Sequence, residues 1–377
     1  MSKEKIVAII KNAAAIVVIL ALFVIIFYQN RDRALSGIFE KKPEQSQEKE
    51  SEKAAFEGSL YGEAYPIGDD VCYITTTAYG ILSADGKVRS SEIALSEPKL
   101  HCEDEYTVRY DKDAKEAVVS KRERQYYTIK TENRIICAKV NRNGYTVAAT
   151  EKEGYNSEIL VYNRAGEPIF KWDISKSEFL DADINCDNNM LALSLSGVKN
   201  KQMSGEIMFI DITDAKIKTQ KSYPRELFYK VDFNRNGTSV AVGSDALVYF
   251  NADGGAKWRY KYGGRTLIKA DVSQPNSMVL AFSAKGSGIK GNSTEIEVIN
   301  RLGKRAAEIT ASGISDDIST STEGIAVAFG KTAHIYDFNL SEEQQLQSET
   351  GIKKLVFFRD GKHLLVIGNS GGKILSR

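Results

Sequence analysis

Histidine and tryptophan are almost missing from this chain, with three His and two Trp in 377 residues, alongside six Pro and four Cys. Each scarcity removes a class of chemistry. His101, His334 and His363 each lie alone in or beside an alternating apolar stretch, so none has the neighbour that a general base or a metal site requires. Cys72, Cys102, Cys137 and Cys186 have no Cys-x-x-Cys spacing and only His101 nearby, which argues against zinc. They read as small buried thiols inside sheets, with Cys102 and Cys137 as a conceivable disulfide because both fall on inner strands of neighbouring repeats. Gly286-Ser-Gly-Ile-Lys-Gly291 matches Gly-x-Gly-x-x-Gly, but a strand follows where a dinucleotide site needs a helix. A net charge of +1 argues against a general nucleic-acid surface. Beyond the first thirty or so residues no long apolar stripe of period 3.6 occurs, which excludes a helical domain.

What the chain does have is a strand-and-turn motif that returns at a pitch of roughly 40 residues. It reads Tyr79-Gly-Ile-Leu-Ser-Ala-Asp-Gly86, Ile159-Leu-Val-Tyr-Asn-Arg-Ala-Gly166, Ile207-Met-Phe-Ile-Asp-Ile-Thr-Asp214, Leu247-Val-Tyr-Phe-Asn-Ala-Asp-Gly254, Ile296-Glu-Val-Ile-Asn-Arg-Leu-Gly303 and Ala333-His-Ile-Tyr-Asp-Phe-Asn-Leu340. Weaker copies lie at residues 116–123 and 373–377. Four apolar residues followed by Ser, Asn or Asp and then Gly make an extended segment closed by a hairpin turn. A second hairpin precedes most copies, as in Val140-Asn-Arg-Asn-Gly144 and Phe233-Asn-Arg-Asn-Gly237. Each repeat is therefore a four-stranded meander, with strands a to d, that buries its faces only against neighbours. The fold expected is an all-β propeller of eight blades, alternatively seven, because the copy over residues 99–133 is the weakest. The last repeat stops after strand c, so residues 56–61 are expected to supply its missing strand and close the ring.

The N-terminus is a different object. Residues 6–28 are mostly apolar with Lys11 as their one charge, and at about 1.5 Å per residue span roughly 34 Å, enough to cross a bilayer. No small-residue cleavage site follows Tyr28, so a retained single-pass anchor is expected, with the propeller outside the cytoplasm. The chain divides into a start and anchor (1–33), a charged flexible linker (34–55) and a propeller (56–377).

Asn163-Arg-Ala-Gly-Glu-Pro-Ile-Phe-Lys-Trp172 and Asn251-Ala-Asp-Gly-Gly-Ala-Lys-Trp258 resemble the c-to-d hairpin of quinoprotein-type propeller repeats, in which Trp docks one blade on the next. The overall plan resembles an uncharacterised family of bacterial single-pass membrane proteins with a propeller of unknown function, built of quinoprotein-like or WD40-like repeats. That resemblance implies the fold and no activity or cofactor. The function expected is a non-catalytic binding or scaffold module for an envelope protein or anionic polymer. The alternatives are a small-ligand or glycan sensor, or a quinone-dependent oxidoreductase needing a carboxylate base, an Arg and calcium ligands in the central channel. The long b-to-c loops direct the search for a partner site to Lys199, Lys201, Lys285 and Lys290, joined on the same rim by Arg265. Together they suit an acidic surface. No catalytic residue, metal ligand or cofactor site is expected.

Overall fold

A computed structural model describes residues 53–54, 63–284, 293–369 and 371–377. The anchor at residues 6–28 lies outside the described residues, and among those described no helix is long and apolar enough to cross a membrane. Eight four-stranded antiparallel sheets follow one another along the chain. The segment that reads weakest in sequence forms a complete second blade, Pro98–Glu103, Tyr106–Asp111, Glu116–Lys121 and Arg124–Lys130. The count is eight.

Burial follows the repeat. The b and c strands are the blade centres and are buried almost throughout, as in Ser239–Gly243 and Ala246–Phe250 of blade 5. Outermost d strands such as Val88–Glu92 and Lys216–Pro224 are largely exposed. The apolar clusters lie between blades rather than within them. One joins Val147, Val161 and Phe170 of blade 3 to Leu191, Leu193 and Ile210 of blade 4. Another joins Val240, Leu247 and Tyr249 of blade 5 to Val272, Met278 and Phe282 of blade 6. At about 1.5 to 3 kcal/mol for each large apolar side chain buried, this stabilisation exists only while each blade keeps both neighbours.

The c-to-d turn carries the docking device. Gly303, at φ +74°, rests on the indole of Trp258 in the preceding blade, and a Cβ there would lie 2.5 Å from the ring. Trp258 Nε1 also donates to the Arg301 carbonyl at 3.0 Å, so this Trp does lock blade 5 to blade 6. Gly254 meets Phe209 in the same way at the junction between blades 4 and 5.

Closure is by an N-terminal strand, but not at the expected residues. Lys53–Ala54 pairs antiparallel with Gly371–Ser376, Lys53 opposite Lys373 and Ala54 opposite Gly372, and completes the blade formed by Ile352–Phe357, His363–Gly368 and Gly371–Ser376. The expected donor, residues 56–61, lies outside the described residues. Its neighbour upstream, assigned to the linker from sequence, is the one that pairs. All four cysteines are free thiols. Cys102 packs with Cys72 in the cluster at the blade 1–2 junction and donates to the Pro66 carbonyl at 3.2 Å.

Candidate functional site

Strand a of each blade is innermost, and five of them carry the same irregularity. The pairing of a with b skips one residue at Ile136, Leu180, Tyr229, Ile268 and Lys353. A bulge leaves the extra residue outside the ladder and re-aims its side chain. Ile136 and Tyr229 are accordingly 44% and 52% exposed although they sit in the innermost strand. The ring walls still surround Tyr229, whose phenol burial pushes up to about 12. Solvent reaches these groups from inside the ring.

Past the bulges lies a belt of charge. Lys139 Nζ of blade 3 donates to Asp181 Oδ2 of blade 4 at 2.7 Å, and to the Val231 carbonyl and Asp232 Oδ1 of blade 5, both at 3.2 Å. Lys230 lies 2.6 Å from the other Asp232 oxygen. Burial works against charge on Lys139, but Asp181 and Asp232 outweigh it and hold the ammonium well above the usual lysine range. Burial likewise raises Asp232, and Lys230 and Lys139 reverse this to leave it below the carboxylate range. His101 is driven down to about 3, first by burial and then by Lys139, so it is a neutral imidazole whose Nδ1 accepts from the Val140 amide at 3.3 Å. Burial raises Glu103 to about 7, with Asp232 adding to the shift.

These groups have a structural job. The inner edge of strand a has no further strand to pair with, and side chains of one blade take the amides of the next. Glu63 accepts from Leu100, Asp181 from Val231, Asp183 from Phe233, Asp271 from Thr320 and Asp317 from Leu355, at 2.6 to 2.9 Å. Ser319 accepts from Phe357 at 3.0 Å. An orphaned buried amide costs about 1 to 3 kcal/mol, which accounts for the acid-rich lumen without any reaction.

The meander fixes which loops share a face. The b-to-c and d-to-a connections emerge on one side, the a-to-b and c-to-d turns on the other. On the first side blade 4 extends furthest. Its strands b and c, Met190–Lys199 and Gln202–Asp211, run to a two-residue turn at Asn200 and Lys201, both at positive φ. Val198 and Met203 are directly opposite in this ladder and 79% and 57% exposed. Paired positions project from the same face, so the arm ends in an apolar pair beside Lys199 and Lys201. Lys285 and Lys290 lie outside the described residues. Arg265 is no free rim cation. It pairs with Glu295 at 2.8 Å and with Glu297 at 2.9 Å, and lies 4.1 Å over the Phe282 ring. Sequence could not show this, because both glutamates come from a strand some thirty residues on.

That same cluster is the one acidic triad among the described residues. Oxygens of Glu295, Glu297 and Glu308 lie within 4.8 Å of one another. Arg265 and Arg305 already fill the space between them, with Arg305 at 2.8 Å from Glu297 and 2.7 Å from Glu308. Two guanidiniums in place make these residues a poor fit for calcium, and they stand on strands c and d of blade 6 rather than on the innermost strand that lines the channel.

At the opposite mouth, turns from across the ring converge. Asp104, in the a-to-b turn of blade 2, is approached by Arg142 of blade 3 at 3.3 Å, Arg235 of blade 5 at 3.6 Å and Arg359 of blade 8 at 3.9 Å. Sequence shows the turn arginines, but not that three of them meet.

Residues 42–375 match the model of a family of unknown function, DUF5711. The chain belongs to that family. No curated protein matches it. Among solved structures it is similar to the C-terminal WD40 domain of Sif2, with a TM-score of 0.62 at 12% identity over 86% of this chain and 97% of that one. It is also similar to Saccharomyces cerevisiae Sqt1, with a TM-score of 0.59 at 9% identity over 85% and 97% of the two chains. Similarity to BamB from Moraxella catarrhalis gives a TM-score of 0.53 at 10% identity over 85% of this chain and the whole of the other. At such identities the likeness carries the propeller fold and nothing more.

Proposed function

We propose that this protein is a non-catalytic binding module of a bacterial envelope. In this view residues 6–28 anchor it in the cell membrane, the charged segment beyond is its tether, and the propeller lies outside the cytoplasm. It engages an acidic protein partner or anionic polymer through the face bearing the b-to-c and d-to-a connections. The observation that carries this is the blade 4 arm, where Val198 and Met203 project into solvent beside Lys199 and Lys201. Exposed apolar pairs at the tip of a rigid element are what a partner covers, and full burial of the two would contribute about 3 to 6 kcal/mol. Inside the ring, by contrast, most ionisable groups are taken up by one another and by backbone amides.

Site-specific photocrosslinking tests the proposal. A crosslinker at Lys201 on the membrane-bound full chain should give a discrete adduct that disappears when Val198→Glu, Lys199→Glu and Met203→Glu are combined. A crosslinker at Lys304, on the other face, should not give it. Equal adducts from both positions, or an adduct that survives the triple change, would refute the assignment.

A further inference from the structure

The face opposite the arm carries a cavity of about 450 Å³ between blades 2, 3 and 4, lined by Glu105, Tyr106, Lys121, Arg142, Asn143, Tyr145, Arg164 and Asn188. Its size falls within the range of small-ligand sites. The lining holds three cations and one carboxylate, a formal surplus of two positive charges. Lys121 is shared with Glu105 at 3.3 Å, and Arg142 with the Asp104 that two further arginines also use. Arg164 has no carboxylate among the described residues. Its Nε donates to the Tyr126 hydroxyl at 3.1 Å and its guanidinium lies 5.8 Å from that ring.

The neutral part of the lining is also one-sided. Asn188 Oδ1 accepts from Asn141 at 2.7 Å and from Asn143 at 3.3 Å, which leaves its Nδ2 without an acceptor among the described residues. The site therefore offers the Arg164 guanidinium and the Asn188 Nδ2 beside the half-buried Tyr145.

We infer that this cavity is a binding site for a phosphorylated sugar. A phosphate monoester carries about −1.5 to −2 charge and three acceptor oxygens, which matches a surplus of two charges better than a single carboxylate would. Tyr145, half-buried in the lining, offers apolar surface to a sugar, while Tyr106 is buried beneath Gly144 and Lys121. The Asn188 Nδ2 and the Asn143 Oδ1, whose own Nδ2 is taken by the Cys186 carbonyl at 2.5 Å, offer partners to its hydroxyls. The site is on the other face from the arm, so it stands or falls independently of the partner proposed there.

Isothermal titration calorimetry of the purified full chain in detergent at low salt decides the matter, with glucose-6-phosphate, inorganic phosphate and glucose as probes. Saturable binding of glucose-6-phosphate is expected, at least about 10-fold tighter than inorganic phosphate, with no binding of glucose. Arg164→Ala should weaken it about 10-fold or more. Its melting should be unchanged because Arg164 is exposed. Lys304→Ala, in the c-to-d turn of blade 6, should bind as the wild type does. Absence of saturable binding, equal binding by Arg164→Ala, or equal binding of glucose would overturn the site. Inorganic phosphate binding as tightly as the sugar phosphate would overturn the sugar.

Discussion

Replacing Lys139 with Met isolates what the channel's charge belt contributes. The ammonium reaches blades 4 and 5 from blade 3, through Asp181, the Val231 carbonyl and Asp232. Its side chain is 10% exposed and that of Asp181 8%. Methionine keeps the stem and its packing, so the loss is electrostatic. Among the described residues, Asp181 would be left buried with only the Val231 amide as hydrogen-bond partner. Breaking one side of a buried pair costs about 3 to 5 kcal/mol, because the other charge stays behind. At roughly 2 °C per kcal/mol for a domain of this size, the melting temperature should drop by about 6 to 10 °C.

The sign of the pH dependence sharpens the test. Without the ammonium, the folded-state pKa of Asp181 rises further above its unfolded value, from a position that burial already raises. A group so raised contributes stability below its unfolded pKa and loses it as pH rises through the folded one. The deficit of Lys139→Met should therefore shrink between neutral pH and about pH 4. Adding Asp181→Asn should recover part of the loss at neutral pH. Thermal melting by circular dichroism across this range is the assay, and a Lys139→Met melting curve that overlays the wild type at pH 7 would refute the reasoning.

Glu103, which burial and Asp232 hold at about 7, should make stability decline as pH rises from about 4.5 to 7, and Glu103→Gln should flatten that part of the melting profile. A truncation beginning at residue 55 removes the closing strand and should melt lower and aggregate, whereas one beginning at residue 49 should not; identical melting of the two would refute closure by Lys53–Ala54. Arg265→Glu should lower melting by several degrees because it faces the fully buried Glu297, while Lys199→Glu with Lys201→Glu should leave it within about 1 °C, as exposed charges contribute little.

The blade count and the c strands were legible because each repeat states the same local physics: an apolar run, then a polar residue and usually Gly at a turn. The closing strand was not. Lys53 and Ala54 stand in a charged stretch with no apolar alternation to mark a strand, whereas Phe56 and Leu60 looked like strand residues. The lumen was hidden for another reason. Lys139 in Ala138-Lys139-Val140 has the pattern of any alternating strand facing water, and only ring closure brings Asp181 and Asp232 to it. Arg265 follows Gly263 and Gly264 and so looked like a loop cation, while its partners Glu295 and Glu297 alternate as exposed strand positions would. Exposed lysines at Lys199 and Lys201 could be read directly, since a loop tip needs no partner to be a loop tip.

The chain of acceptors that stitches each inner strand to the next is not continuous: among the described residues no side chain of blade 3, 5 or 8 takes an amide of the next blade's strand a, although Lys139 still reaches Asp181 across blades 3 and 4 and Lys354 lies 5.7 Å from the Tyr65 ring across blades 8 and 1. At the step from blade 5 to blade 6, Asp232 is turned toward Lys139 and Lys230, and no bond among the described residues joins it to an amide of Thr266–Asp271. The outer part of the same junction is riveted, by Trp258 to the Arg301 carbonyl and by the Tyr260 hydroxyl to Glu297 at 2.6 Å. Mechanically this is a door with its pin on the rim and its play at the axle. When the ring breathes, the lumen should dilate on that side first, and the amides of Thr266–Asp271 should exchange with solvent ahead of those of Asp317–Thr320.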